Sequence, residues 1–318
     1  MTNSLTFMGG AFLIISTTFI SCKNNESTST TTSTITTSTT PSLPTINEIV
    51  NSDTNFSLLK QAITRAGIGN SLSTGSLTVF APDNSAFNAA GMNAASINAL
   101  SVDKLTNILT YHVLARKVAS TNMPVSDTMK TLQGNNLFAS KNNNGIFVNG
   151  IKIKTADVQA SNGVIHIISK VMIPPSKNIA ALANSTASLS LLYAAVVKIG
   201  LATSLTSAGK YTIFAPTNIA FAQAGFPDVN AINNADTSVL APIVRAHILK
   251  TNFFASDLIS GALTPASLQY GVTLMIGLNP SSLKISTSNK PFSNINIPIG
   301  VDIIGTNGVI HLIDRVLL

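Results

Sequence analysis

The chain is predicted to fold as α+β, with one domain-sized unit built twice in tandem. Three observations predict this. Motifs recur in the same order in the two halves, apolar spacing switches repeatedly between helical and strand periods, and glycine or proline closes each run. Leu77–Phe87 (LTVFAPDNSAF) matches Tyr211–Phe221 (YTIFAPTNIAF), Tyr111-His112-Val113-Leu114 matches Ala246-His247-Ile248-Leu249, and Asp157–Val171 matches Asp302–Val316. The offsets are 134, 135 and 145 residues, so the second copy carries ten extra residues, expected as a loop or hairpin around Asn279 to Pro298. A period this long marks a domain and not a solenoid repeat.

Within each unit the elements follow in order. Phe56, Leu59, Ile63 and Ala66 fall on one face of a helix that should end at Gly67 or Gly69, and Leu189 to Leu192 open its counterpart, ending at Gly200. Thr78-Val79-Phe80 and Thr212-Ile213-Phe214 are short strands stopped by Pro82 and Pro216. Asp83 and Thr217 then stand as N-caps of short helices that close at Gly91 and Gly225. A longer helix carries Leu105, Ile108, Leu109 and His112 on its apolar stripe, and its twin carries Leu240, Ile243, Val244 and His247. Residues Ile146 to Ile153 read as a hairpin around Asn149-Gly150. The last strand of each unit holds Asn-Gly-Val-Ile-His, at 162–166 and 307–311; the Asn-Gly pair is expected to supply positive φ at a turn, and the histidine to sit in a core strand. Pro174-Pro175 separates the units as a stiff joint. Helices thus segregate from a mostly antiparallel sheet system.

Ahead of the repeats, Phe7 to Ile20 is an uncharged, mostly apolar run of fourteen residues, short for a membrane span and suited to the core of an export signal over 1–21. It ends at Cys22, the chain's one cysteine, after a small residue. This arrangement resembles the lipobox of bacterial lipoproteins, which implies cleavage before Cys22 and lipid attachment to its thiol. Ser27–Ser42 holds fourteen Ser or Thr in sixteen positions, and 22–44 therefore reads as a lipidated, solvated tether. Domains are expected over 45–174 and 175–318.

Composition narrows the function. The net charge of +7 is spread as +4 over residues 45–174 and +3 over 175–318, with no basic run beyond Arg116-Lys117, and aromatics are 6% with no Trp. Nucleic-acid surfaces cluster charge and interleave aromatics, so no nucleic-acid partner is expected. Each unit has two histidines and no cysteine, one ligand or more short of a zinc set made from those residues. No Gly-x-Ser-x-Gly turn positions a nucleophile. No catalytic residue, metal or small-molecule substrate is assigned, and the histidines read as packed core residues.

The Phe-Ala-Pro-x-Asn-x-Ala-Phe segments, the His elements and the terminal Asp-x4-Asn-Gly-Val-Ile-His strands, in that order and present twice, resemble the fasciclin (FAS1) domain. The resemblance covers both units. It implies a wedge of mostly antiparallel strands with packed helices, an extracellular or cell-surface setting, and binding of a matrix or envelope protein or polysaccharide without a cofactor. It also implies adhesive roles for the Tyr-His element and the Asp-apolar pair, which fall here on Tyr111, His112, Asp157 and Val158, and on His247, Asp302 and Ile303. Ala246 stands where the first unit has Tyr111. The expected function is a lipid-anchored adhesion protein on the outer membrane or cell surface; the alternative is an envelope scaffold docking to another membrane protein.

Overall fold

The computed structural model describes residues 42–258, 267–269, 272–279, 282–287, 293–294 and 302–317. The export signal, Cys22 and most of the tether lie outside the described residues, as does much of the expected insertion.

The first domain opens on a helix, Ile46–Ser52, whose N-terminus is closed by a capping box between Thr45 and Glu48. Helix Ser57–Ala66 ends at Gly67 with φ 70°, the left-handed cap that the sequence predicts. Strand β1 (Leu77–Pro82) leads into helix Asn84–Ala89, where the Asp83 side chain accepts the Ala86 amide. Helix Val102–Tyr111 has His112 at its C-cap and runs into β2 (Val113–Leu114). The strands β3 (Ser126–Lys130), β4 (Asn136–Asn142), β5 (Gly145–Val148), β6 (Ile151–Ala160) and β7 (Gly163–Ile168) complete one seven-stranded sheet, ordered β2-β1-β7-β6-β5-β4-β3. Its pairs are antiparallel except β1 with β7, which run parallel and join the first strand of the domain to the last. The fold is α+β and mostly antiparallel, as expected, with two separate apolar clusters, one under the helices and one under the β3–β6 sheet.

The second domain repeats this order. Helices Ile179–Ser185, Ser190–Lys198, Asn218–Gln223 and Thr237–Ala246 accompany β8 (Tyr211–Pro216) and β9 (Ile248–Leu249), and Thr217 caps its helix as Asp83 does. Strands β10 (Leu274–Asn279), β11 (Ser282–Thr287) and β12 (Ser293–Asn294) pair together; β13 (Ile303–Gly305) and β14 (Gly308–Ile313) join β8 and β9, with β14 parallel to β8. Both domains belong to one unit that begins at Ser42.

The Asn-Gly pairs of the last strands meet the expectation in part. Gly163 has positive φ (158°) at the first residue of its strand, whereas Gly308 and the turn residues Ser161, Asn162, Thr306 and Asn307 do not. Asn162 instead reaches back 116 residues. Its Oδ1 accepts the Ile46 amide and its Nδ2 donates to the Leu72 carbonyl, each at 2.9 Å. Asn307 does the same for the second domain, accepting from Ile179 and donating to Leu205 and Ser207. The glycines permit close approach: a Cβ at Gly163 would overlap the Leu77 carbonyl, and one at Gly308 the Tyr211 carbonyl. The motif thus locks the first helix and first strand of each domain to its last strand.

Candidate functional site

The sequence places one histidine at the end of a helix and one in the last strand of each domain. All four are buried, none more than 3% exposed. His112 Nδ1–H donates to the Ile108 carbonyl (2.8 Å), which leaves Nε2 to accept the Met172 amide (2.9 Å). His247 repeats this with Ile243 and Leu317, both at 2.8 Å. Burial in apolar surroundings outweighs the carbonyl bond and lowers both to about 4, so both are neutral at pH 7. Each ties the helix to the segment leaving its domain, a structural task that occupies both ring nitrogens.

The strand histidines are neutral as well, lowered chiefly by burial. His166 stacks on Phe80 and His311 on Phe214, with ring centroids 5.6 and 5.4 Å apart. His166 Nε2–H donates to Val118 O (2.9 Å) and Nδ1 accepts the Asp157 amide (3.2 Å). His311 Nε2–H donates to Phe253 O (2.7 Å), but its buried Nδ1 has no hydrogen-bond partner among the described residues and lies 3.7 Å from Asp302 Oδ1.

Beside these rings stand the two aspartates. Asp157 and Asp302 share φ of 61° and 56°, left-handed values unusual for a residue with a side chain. At Asp157 this accompanies a register shift in β6 between Thr155 and Val158, a bulge that turns the carboxylate sideways toward Ser120. There Asp157 accepts both the Ser120 amide (2.9 Å) and, through a short bond, the Ser120 hydroxyl. Burial raises its carboxyl, but the two Ser120 bonds outweigh that and hold it below the usual range. In the second domain the matching residue is Ala255, so Asp302 accepts only the backbone amide there (2.8 Å). Burial dominates, nearby Asp257 adds to it, and the Asp302 carboxyl is pushed up. The sequence offers the same motif twice; the structure makes two different carboxylates from it.

The domain seam explains the difference. The β5–β6 hairpin turns at Asn149-Gly150, both with positive φ as the sequence predicts, and its tip sits over Asp302 and Phe254. Phe138 stacks on Phe254 with centroids 5.3 Å apart; Ser140 donates to Asp257 (2.5 Å) and Asn142 to the Ser256 carbonyl (2.9 Å). Lys210 pairs with Asp127 at 2.5 Å. Sequence reasoning missed this seam, since neither Phe138 nor Phe254 lies in a repeated motif.

Tyr111 belongs to the same structure. It is fully buried, donates from its hydroxyl to Asn136 O (3.1 Å) and accepts from Asn149 Nδ2 (2.9 Å). Asn149 Oδ1 in turn accepts the Phe138 amide. Burial pushes the phenol up to about 12, against the opposing Asn149 bond. Tyr111 therefore props the hairpin that meets the second domain. Tyr111, His112 and His247 are thus taken out of direct reach of a partner, while Asp157, Val158, Asp302 and Ile303 stay part-exposed. Around Asp157 and Val158, residues Thr155, Ala156 and Gln159 are exposed. Among the described residues no group of three or more His, Cys, Asp or Glu is placed to hold a metal ion.

A fasciclin domain model matches residues 54–174 and again 187–318. Transforming growth factor-beta-induced protein ig-h3 of Sus scrofa is 33% identical over 247 residues, 77% of this chain and 35% of that protein. Human periostin is 28% identical over 221 residues, 69% of this chain and 25% of its own length. The chain thus spans about a third or less of these longer relatives. A solved FAS1 domain pair from the insect cell adhesion molecule fasciclin I covers 86% of this chain and 95% of its own at 20% identity, with a TM-score of 0.40. With both halves matched over most of their length, the chain belongs to the fasciclin domain family.

Proposed function

We propose that this is a non-enzymatic adhesion or binding protein of the cell surface or envelope, held to the membrane by a lipid on Cys22. Its domains face an extracellular or envelope protein or polysaccharide. The observation that carries the reading is the Asp157-Val158 bulge. It is fixed from beneath by Ser120 and His166 and flanked by exposed Thr155, Ala156 and Gln159, whereas its counterpart is taken up by the seam. A rigid, ionised, part-exposed carboxylate beside an apolar side chain suits recognition of a partner's donor groups. The four histidines, the chain's obvious acid-base groups, are buried and each is bonded to a backbone carbonyl through one ring nitrogen, which favours binding over catalysis.

The test is binding of the full chain to immobilised matrix proteins and polysaccharides, compared with Ala156→Arg, a change at an exposed position. Loss of binding at unchanged melting temperature supports the bulge as the contact. A wild-type chain that binds nothing, or a variant that binds equally well, contradicts it. For the anchor, Cys22→Ser is expected to release the protein from membranes, and protease treatment of intact cells is expected to degrade the wild type.

A further inference from the structure

The seam that covers Asp302 leaves a pocket of about 350 Å³ beside it, within the size range of small-molecule sites. Its walls are apolar: Ile151 from the hairpin, Val171, Ile173 and Pro174 from the joint, and Leu182 and Ile304 from the second domain. The joint that forms one wall is fastened at three points. The Met172 amide is held by His112, the Pro175 carbonyl by Asn135 (2.9 Å) and the Lys177 carbonyl by the Thr306 amide (2.9 Å). The pocket is therefore preformed, and a ligand need not order it.

Among the described residues the one acid lining this pocket is Asp302. Its Oδ1 accepts the Ala255 amide, and Oδ2 lies against Gly150 at the tip of the hairpin. Among the described residues no Lys or Arg forms an ion pair with it, although the charge of Lys170 acts on it through space, and His311 Nδ1 is 3.7 Å away without a hydrogen-bond partner among those residues. A part-buried carboxylate with so few donors is costly to keep ionised. An ammonium group brought in on an aliphatic stem would supply a directly paired cation, and the stem would bury against Ile151, Pro174 and Ile304. The exposed Lys177 stands at the rim and opposes a cation there.

We propose that the cleft between the two domains is a binding site for a small aliphatic amine, with Asp302 receiving the ammonium. The site is distinct from the Asp157 bulge, and it stands or falls independently of the adhesive reading.

The experiment is a ligand-observed NMR titration of the full chain with n-pentylammonium, using 1-pentanol and pentanoate as matched probes. The ammonium is expected to bind at least about tenfold more tightly than the alcohol, as one charge-assisted bond allows, and pentanoate more weakly than either. Asp302→Asn keeps size and an acceptor for Ala255, and should reduce pentylammonium to the level of pentanol. Asp157→Asn, the matched change in the first domain, should leave the titration unaltered. Lys177→Ala, at an exposed position, should tighten ammonium binding by about twofold or more; this arm keeps the test valid if Asp302→Asn disturbs the seam. Equal affinity for ammonium and alcohol, no binding at all, sensitivity to Asp157→Asn, or indifference to both Asp302→Asn and Lys177→Ala would each overturn the proposal.

Discussion

Asp157 and Asp302 occupy the same place in two copies of one fold, yet they do opposite work. Both sit at left-handed backbone positions before the last strand, above a histidine stacked on phenylalanine. In the first domain a serine supplies two donors and the histidine accepts a backbone amide, so every polar atom of the cluster that is buried is satisfied. In the second domain the serine is Ala255, the histidine keeps an orphan nitrogen, and the hairpin of the first domain closes over the carboxylate. One hydroxyl and one neighbouring domain therefore convert the same motif from a carboxylate held by a serine into one covered by the hairpin and open only to the pocket.

Substituting the strand histidines gives the largest expected contrast. His166→Ala removes a buried ring and strands both the Val118 carbonyl and the Asp157 amide, at an expected loss of roughly 4 kcal/mol. His311→Ala strands only the Phe253 carbonyl and should cost about 1 kcal/mol less, measurable by chemical denaturation. Equal losses would break the comparison.

The helix histidines should instead respond alike, because both copies are built identically. Their imidazoles titrate near 6.5 when unfolded and near 4 when folded, so between those values the unfolded chain binds more protons. Stability is then complete above about pH 6.5 and is lost as pH falls toward 4, by roughly 3 kcal/mol per histidine at most. Denaturation followed from pH 7 to pH 4 checks this. His112→Gln or His247→Gln should each flatten part of the slope.

Gly150→Ala addresses the seam alone. Its φ of 74° disfavours a side chain, and a Cβ would lie 2.9 Å from Asp302 Oδ2 and 3.0 Å from a Phe254 ring carbon. A loss of about 1–2 kcal/mol is expected, with greater mobility between the domains by small-angle scattering. The smallest effects come from the carboxylates themselves. Asp157→Asn should destabilise by under about 1 kcal/mol after solvent screening, while Asp302→Asn should be neutral or slightly stabilising.

How much of this was legible in the sequence follows from the range of each interaction. Helix caps at Asp83, Thr217 and Gly67, and the Asn149-Gly150 hairpin, depend on residues a few positions apart, and their local signals sufficed. The burial of the four histidines could be read from the apolar residues alternating or spaced around them. The side-chain role of Asn162 and Asn307 is not legible in the sequence, because their partners lie 90 to 128 residues away at positions such as Leu72 that carry no pattern. The family resemblance marks Tyr111 for recognition; its hydrogen-bond partners, Asn136 and Asn149, come together only when the sheet forms and are not legible in the sequence. The Phe138–Phe254 contact is legible only in three dimensions, since nothing in either strand marks which face meets the other domain.

The two carboxylates have diverged, and an NMR titration of their carboxyl carbons in the full chain tests this divergence. Asp157 is expected to titrate below the ordinary aspartate value of 3.8 and Asp302 above it. In Ser120→Ala, which recreates the second domain's arrangement in the first, Asp157 should move upward toward Asp302. Two aspartates titrating together, or an Asp157 indifferent to the loss of the Ser120 hydroxyl, would contradict it.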